Sequence, residues 1–471
     1  TKDVFCTLPA TKAVIEDANS DVTLPADLNV TVDLDVDGNT TTDGITNAGN
    51  FSTDGGTIKL DGNYPTGTEN TALGDTALDS VQAGGNYNVV LGSRAGTNIT
   101  TGDNNVGVGA YALCDIQTNS QNVAIGTETL KKNTASNNTA VGYISLRCNT
   151  SGCQNTAVGS EALKTNTTAN NNTAVGHCSL TLNTTGTRNT GTGKSSLQAN
   201  TTGSCNSGHG MYALYNNTEG GNNVAVGTCS LFTNTTADNN TAVGLCSLYA
   251  NTTGSENTAV GTYALDANTT GAKNTAVGKN AGSAITTGTF NDIFGRSAGF
   301  DLTTGDYNVA VGSGSLANLT TTNDNTAVGH NALNTVVTGT QNTAVGTCAL
   351  HNTTVNCGTA VGYQALKLNT TGDKNTAVGR NSANNNTTGS DNTVVGFCSL
   401  GTNTTGACNT AFGNYSLYSN TTANDNSAFG YNTLGLNTTG TNNVAMGRNA
   451  LLNNTTAANN TAVGKDSLCA N

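Results

Sequence analysis

Asn172-Thr173-Ala174-Val175-Gly176 opens a unit that closes with Asn183-Thr184-Thr185-Gly186 and begins again at Asn189. Written at a period of 17 residues, the pattern is N-T-A-V-G-x-x-(A/S)-L-x-x-N-T-T-G-x-x; it starts at Asn70 and occurs 24 times. Successive starts are 16, 17 or 18 residues apart, the longest step being Asn70 to Asn88. A fixed period of this size marks a repeat architecture in which each unit buries its apolar face against its neighbours. It speaks to shape before chemistry.

The rest of the composition agrees with that reading. Only 10% of the 471 residues are charged, Trp is absent, and Gly, Asn and Thr dominate. The net charge of -12 is uneven, because residues 1–69 hold 12 acids and 3 bases while the repeats hold 18 acids and 15 bases. A nearly neutral repeat region lacks the electrostatic footprint of a nucleic-acid binder. No apolar run is long enough to span a membrane as a helix. All 3 prolines precede the repeats, Pro65 being the last, as expected where a backbone ladder needs every N–H. The start at Thr1 and the short last unit from Asn460 suggest a processed chain or a fragment. The 13 cysteines form no framework: Cys178, Cys229, Cys246, Cys348 and Cys398 share the seventh position, and only Cys229 and Cys246 are neighbours in one column. Free thiols are expected, and no C-x-x-C pair suggests zinc.

Residues 1–27 read as a polar lead. In 28–69, Leu28, Val30, Val32, Leu34 and Val36 alternate with polar residues, which predicts a half-buried strand followed by short strands and tight Asp-Gly turns. Residues 70–471 form the repeat region. There, Gly occupies the fifth position in all 24 units, which implies a corner of positive φ. The fourth position is apolar in 22 units, so positions two and four are expected to face a core, with the intervening Ala column outward against a partner chain. Leu at position nine is the second apolar anchor. Where it becomes Gly96, Gly282 or Gly299, position twelve becomes Ile99, Ile285 or Leu302, so the two positions should border one interior space. Asn at position one, in 23 of 24 units, is expected to stack as an amide ladder. Each unit then supplies two short strands to one coil of a parallel β-solenoid, and the coils at sheet spacing make a rod of about 110 Å. The predicted class is all-β, a parallel β-solenoid of about 24 coils, trimeric, with an N-terminal strand shaft.

The units Asn122-Val123-Ala124-Ile125-Gly126 and Asn223-Val224-Ala225-Val226-Gly227 resemble the repeats of trimeric autotransporter adhesin heads. The 17-residue form with N-T-A-V-G and N-T-T-G is similar to repeats of phage tail-fibre and host-attachment proteins, and Leu34-Asp35-Val36-Asp37-Gly38-Asn39-Thr40-Thr41 resembles the shaft repeats of those fibres. The resemblance implies a β-roll, a homotrimer, an extracellular place on a virion or cell surface, and attachment to a host. The longer unit leaves handedness open.

His177, His330, His351 and His209 occupy different positions and build no triad or metal site. His209 replaces the position-four Val, Thr192 does so in the preceding unit, and Gly191 and Gly208 replace the Ala. This predicts a locally widened polar layer open to a small ion, or a register-fixing core layer. Carboxylates are sporadic, so neither a calcium column nor a paired-acid glycosidase groove is expected. The Asn-Thr-Thr runs match glycosylation acceptors, and stacked Thr columns raise ice binding, although the adjacent Thr pair at positions thirteen and fourteen points to opposite faces. The expectation is a non-enzymatic fibre without cofactor or metal, whose corner residues Tyr212, Tyr249 and Tyr418, with His209, are candidate contacts to a host glycan or protein receptor. Lys131, Lys132 and Glu161 are further exposed corners. A bacterial adhesin and an ice-binding single chain are the alternatives.

Overall fold

The computed structural model describes residues 69–335 and 338–470. The lead and shaft assigned to residues 1–27 and 28–69 lie outside the described residues, apart from Glu69. The repeats form a parallel β-solenoid of 24 three-residue strands, from β1 (Thr71–Leu73) through β7 (Thr173–Val175) to β24 (Thr461–Val463). Each strand pairs in parallel with the strands before and after it, and equivalent positions stand opposite one another: Thr156, Ala157 and Val158 face Thr173, Ala174 and Val175. No helix occurs among the described residues.

Each coil has one strand where the sequence suggests two. Positions six to eleven are consecutive turns, because positions seven and nine take positive φ, as at Cys178 (57°) and Leu180 (51°). Position seventeen does the same at Arg188 (58°). Left-handed conformation costs a non-glycine residue roughly 1–2 kcal/mol. Burial of the same Leu returns about 1.5–3 kcal/mol. The turns are also laddered between coils. Leu180 N donates to Ser196 O at 3.0 Å, Leu182 N to Gln198 O at 3.0 Å and Thr184 N to Thr201 O at 3.0 Å. Proline would remove one of these bonds, which accounts for its absence from the repeats.

The corner at position five needs glycine twice over. Gly176 has a φ of 138°, and a Cβ there would lie 2.5 Å from Gly193 O. The backbones of successive corners are in direct contact.

The interior is inverted relative to the sequence expectation. In β7, Ala174 is completely buried while Thr173 is half-buried and Val175 is exposed. The Ala column therefore faces the core, opposite Leu180, and the proposed outward Ala seam does not exist. A coil with a single three-residue strand leaves room there for a methyl group once Leu and the Asn side chains are in place.

Volume is shared among positions three, nine and twelve. A Cβ on Gly96 would meet Ile99 Cδ1 at 2.9 Å and Val90 Cγ2 at 3.2 Å; a Cβ on Gly299 would meet Ile293 Cδ1 at 3.1 Å. The predicted exchange of Leu for Ile or Leu across positions nine and twelve thus holds, with position three as a third partner. Gly107 shows the converse, since Leu113 and Ile116 fill its coil and a Cβ would lie 3.2 Å from Leu113 Cδ1.

The position-one Asn residues form the expected ladder. Asn172 N donates to Asn155 Oδ1 at 3.0 Å, and Asn172 Nδ2 donates to Gly186 O at 2.9 Å. A second ladder runs at position twelve: Asn183 Nδ2 donates to Asn166 Oδ1 at 2.9 Å and to Gly186 O at 3.0 Å. One carbonyl therefore ties both ladders together. The amides in these columns are buried and nearly all paired, which is the condition under which burial of polar groups is tolerated.

Candidate interaction surfaces

The strand face that turns outward carries Thr or Val at position two, except for Ser207, Asp292 and Ser427, and a mainly apolar column at position four. Val175 is 40% exposed, Phe412 49% and Met446 49%. Phe412 and Phe429 stack at 6.3 Å in successive coils. Asp292 is the single formally charged residue on these two columns across the 24 strands. A long neutral stripe of this kind is larger than a scattered apolar residue would explain.

His209 lies on this outer face, in the position-four column, and its Nδ1 is 2.7 Å from Thr192 Oγ1. The polar layer predicted in the core is absent. The section is not widened either, since Ser179 Oγ donates to Gly191 O at 3.0 Å and Ser196 Oγ to Gly208 O at 2.9 Å. A Cβ on Gly191 would sit 2.5 Å from Ser179 Oγ, but Ser399 and Ser416 make the equivalent bond to Ala411 O and Ala428 O, so the serine does not account for the glycine.

Tyr212 and Tyr249 belong to one cluster, completed by two residues that sequence reasoning did not select. At position ten, Tyr215 stacks on Phe232 at 5.1 Å and Phe232 on Tyr249 at 5.2 Å, while Tyr212 meets Tyr215 edge to face at 5.4 Å. Lys194 lies over Tyr212 at 5.9 Å. Phe232 lies between Tyr215 and Tyr249 in the stack, and Tyr249 remains 38% exposed. Tyr418 stands in a separate cluster, 5.7 Å from Tyr415. The signal available in the sequence was the column: aromatics spaced by 17 residues at one position must stack in a parallel solenoid.

The charged corners are engaged locally. Glu128 takes Lys131 Nζ and Arg147 Nε at 2.8 Å each, and Lys131 also lies over the Tyr111 ring at 4.8 Å. The hydrogen bond from Lys131 holds the Glu128 carboxyl below its ordinary value, against partial burial and with help from Arg147. Glu161 pairs with Lys164 at 3.2 Å. Lys132 makes no ion pair among the described residues.

The cysteines in the described residues are all free, as expected. Burial pushes the neighbouring thiols of Cys229 and Cys246 above their ordinary value. Among the described residues no group of three His, Cys, Asp or Glu side chains is placed to hold a metal ion. No helix there is long and apolar enough to cross a membrane. The position-twelve Asn of the Asn-Thr-Thr runs is buried, as at Asn183, so those acceptors are closed in the folded coil.

No family model matches the chain, and neither the curated proteins nor the solved structures contain a match to it.

Proposed function

We propose that the chain is an elongated, non-enzymatic fibre that projects from a virion or cell and contributes to attachment to a host or surface. Its repeats act as a stiff spacer and a display surface. One observation carries this reading: 24 in-register coils share an outward Thr-x-Val face whose position-four column is mainly apolar and whose two columns hold one formal charge, Asp292. Coverage of such a face must repeat at the same interval of about 4.8 Å along the whole stack. A second copy of the chain has that period by construction, so the Thr-x-Val face is the proposed contact of a homotrimer, in place of the Ala column. The tail-fibre and bacterial-adhesin versions of the reading share this geometry.

Light scattering on the purified chain, with electron micrographs of the same sample, tests it. The expected result is the mass of three chains and a rod whose solenoid part is about 110 Å long. Replacing Val158, Val175 and Val226 with Glu should give single chains that keep their circular dichroism. A single-chain mass for the unaltered protein would sink the trimer.

That outcome would favour a second reading, ice binding, for which the observation is the pairing of positions two and four. They place Thr and Val on one face, at two-residue spacing along the strand, where the adjacent Thr pair of positions thirteen and fourteen does not. Faceted growth of ice crystals in the presence of the purified chain is the direct check.

A further inference from the structure

The cluster around Tyr418 continues into a strip of alternating cations and rings. Arg380 stands between Tyr363 of the preceding coil and Phe397 of the following one, its guanidinium carbon 5.7 Å from each ring centroid. Phe397 meets Tyr415 edge to face at 5.3 Å, and Tyr415 meets Tyr431 at 6.3 Å. Arg448 lies over Tyr431 at 5.8 Å. These contacts follow one another from the coil of Tyr363 to the coil of Arg448, a span of about 24 Å at sheet spacing.

Arg380 and Arg448 are exposed, and neither takes part in an ion pair among the described residues. The carboxylates of the same coils, Asp373, Asp391 and Asp425, stand at positions sixteen and seventeen on a different turn. Asp466, one coil beyond, is held by Asn449 Nδ2 at 2.9 Å and Lys465 Nζ at 3.7 Å. The strip is therefore locally cationic on a chain whose net charge is -12. A guanidinium held against rings keeps its rim of N–H donors available to a planar anion. Tyr363 and Tyr431 are each 46% exposed and offer an apolar ring with a hydroxyl at its edge. The other aromatic cluster differs in charge: its one cation over a ring among the described residues is Lys194, on Tyr212 at its edge.

We propose that this strip binds an acidic carbohydrate, with sugar rings against Tyr363, Tyr418 and Tyr431 and carboxylate or sulfate groups on Arg380 and Arg448. The inference rests on the attachment reading and names its ligand class. Two cations about 19 Å apart at sheet spacing suit sparse charge. A nucleic-acid strand carries a phosphate about every 3.4 Å, and its recognition would need a denser row of cations.

Binding of a hyaluronan oligosaccharide, which carries a carboxylate only on every second sugar, to the full chain, by calorimetry at low and moderate salt, tests the proposal against a neutral oligosaccharide of equal length. The acidic probe should bind more tightly, weaken with salt, and lose about tenfold or more in affinity in the R380Q/R448Q double variant. Tyr249→Ala, in the other cluster, should leave it unchanged. Absence of binding, indifference to R380Q/R448Q, or equal affinity for a single-stranded oligonucleotide would overturn the assignment. Adhesion of the rod to cells is measured in parallel: adhesion of the unaltered chain without binding of the acidic probe leaves the attachment reading standing while the strip falls, and absence of adhesion counts against the attachment reading itself.

Discussion

Asn268 and Ile285 are neighbours in the position-twelve column, where the second amide ladder is interrupted before it resumes at Asn369. Asn268 Nδ2 donates to Asn251 Oδ1 at 2.8 Å and to Gly271 O at 2.9 Å, while its own Oδ1 is buried without a hydrogen-bond partner. The next residue of that column is Ile285, whose side chain has no donor and whose backbone N–H is spent on Gly282 O at 3.1 Å. An unpaired buried acceptor costs about 1–3 kcal/mol. The break is tied to packing, because Ile285 occupies the space left by Gly282, whose added Cβ would lie 2.9 Å from Ile285 Cδ1.

The pair should behave as one packing unit. Gly282→Leu alone overfills the coil, and Ile285→Asn alone empties it. The double variant restores the common Leu and Asn pattern and moves the orphan acceptor one coil onward. A double-mutant cycle by urea unfolding should give a favourable coupling of about 1–3 kcal/mol. Additive effects would show that the two sites do not share interior volume.

The inverted strand predicts opposite outcomes at adjacent residues. Ala174→Leu forces extra atoms into a filled interior and should cost about 1–3 kcal/mol. Val175→Thr changes an outward side chain and should alter the stability of a single chain by no more than about 0.5 kcal/mol. Urea or thermal unfolding of dissociated chains reads both; the reverse order would mean that the Val column is the core.

Gly176→Ala should be among the most damaging single changes. Strain at a φ of 138° is compounded by a Cβ that would lie 2.5 Å from Gly193 O, an atom of the next corner's backbone. A loss of several kcal/mol and a local rise in amide exchange at the adjoining coils are expected. Unchanged exchange around Gly193 would contradict the close corner packing.

Asp266 should make the chain more stable in mild acid. Burial raises its carboxyl above the ordinary value, against hydrogen bonds from its own N–H and that of Ala267, and Oδ1 is buried without a partner. Because the folded-state pKa exceeds the unfolded one, the ionised form opposes folding. The opposition is full above the folded pKa and vanishes as pH falls below the unfolded pKa. Asp266→Asn should therefore raise the unfolding temperature near neutral pH, with the gain shrinking as pH falls through that window. A gain that is constant with pH would remove the titration as its cause.

Much of this architecture was legible in the chain itself. The period of 17 set the parallel stack, the invariant Gly set the corner, and the Asn at position one set the first ladder. The Gly282 and Ile285 exchange revealed shared interior space because volume must be conserved in a filled core. The second strand failed because Leu180 takes a φ of 51°, which its apolar character does not announce. Tyr212 and Tyr249 were selectable as exposed rings, but Tyr215 and Phe232 joined them only through stacking of coils.

Alternation along a strand determined from sequence alone that Thr173 and Val175 share a face and that Ala174 opposes it. Which face is inside was decided by tertiary structure. A coil built from 17 residues and one three-residue strand encloses Leu180, Asn172 and Asn183, and the space that remains admits the methyl of Ala174. Val enters that space only where a large anchor is missing nearby, as Val90 does in the coil of Gly96 and Val394 in the coil after Ala383, and so the apolar column that marked the repeat ends on the outer face.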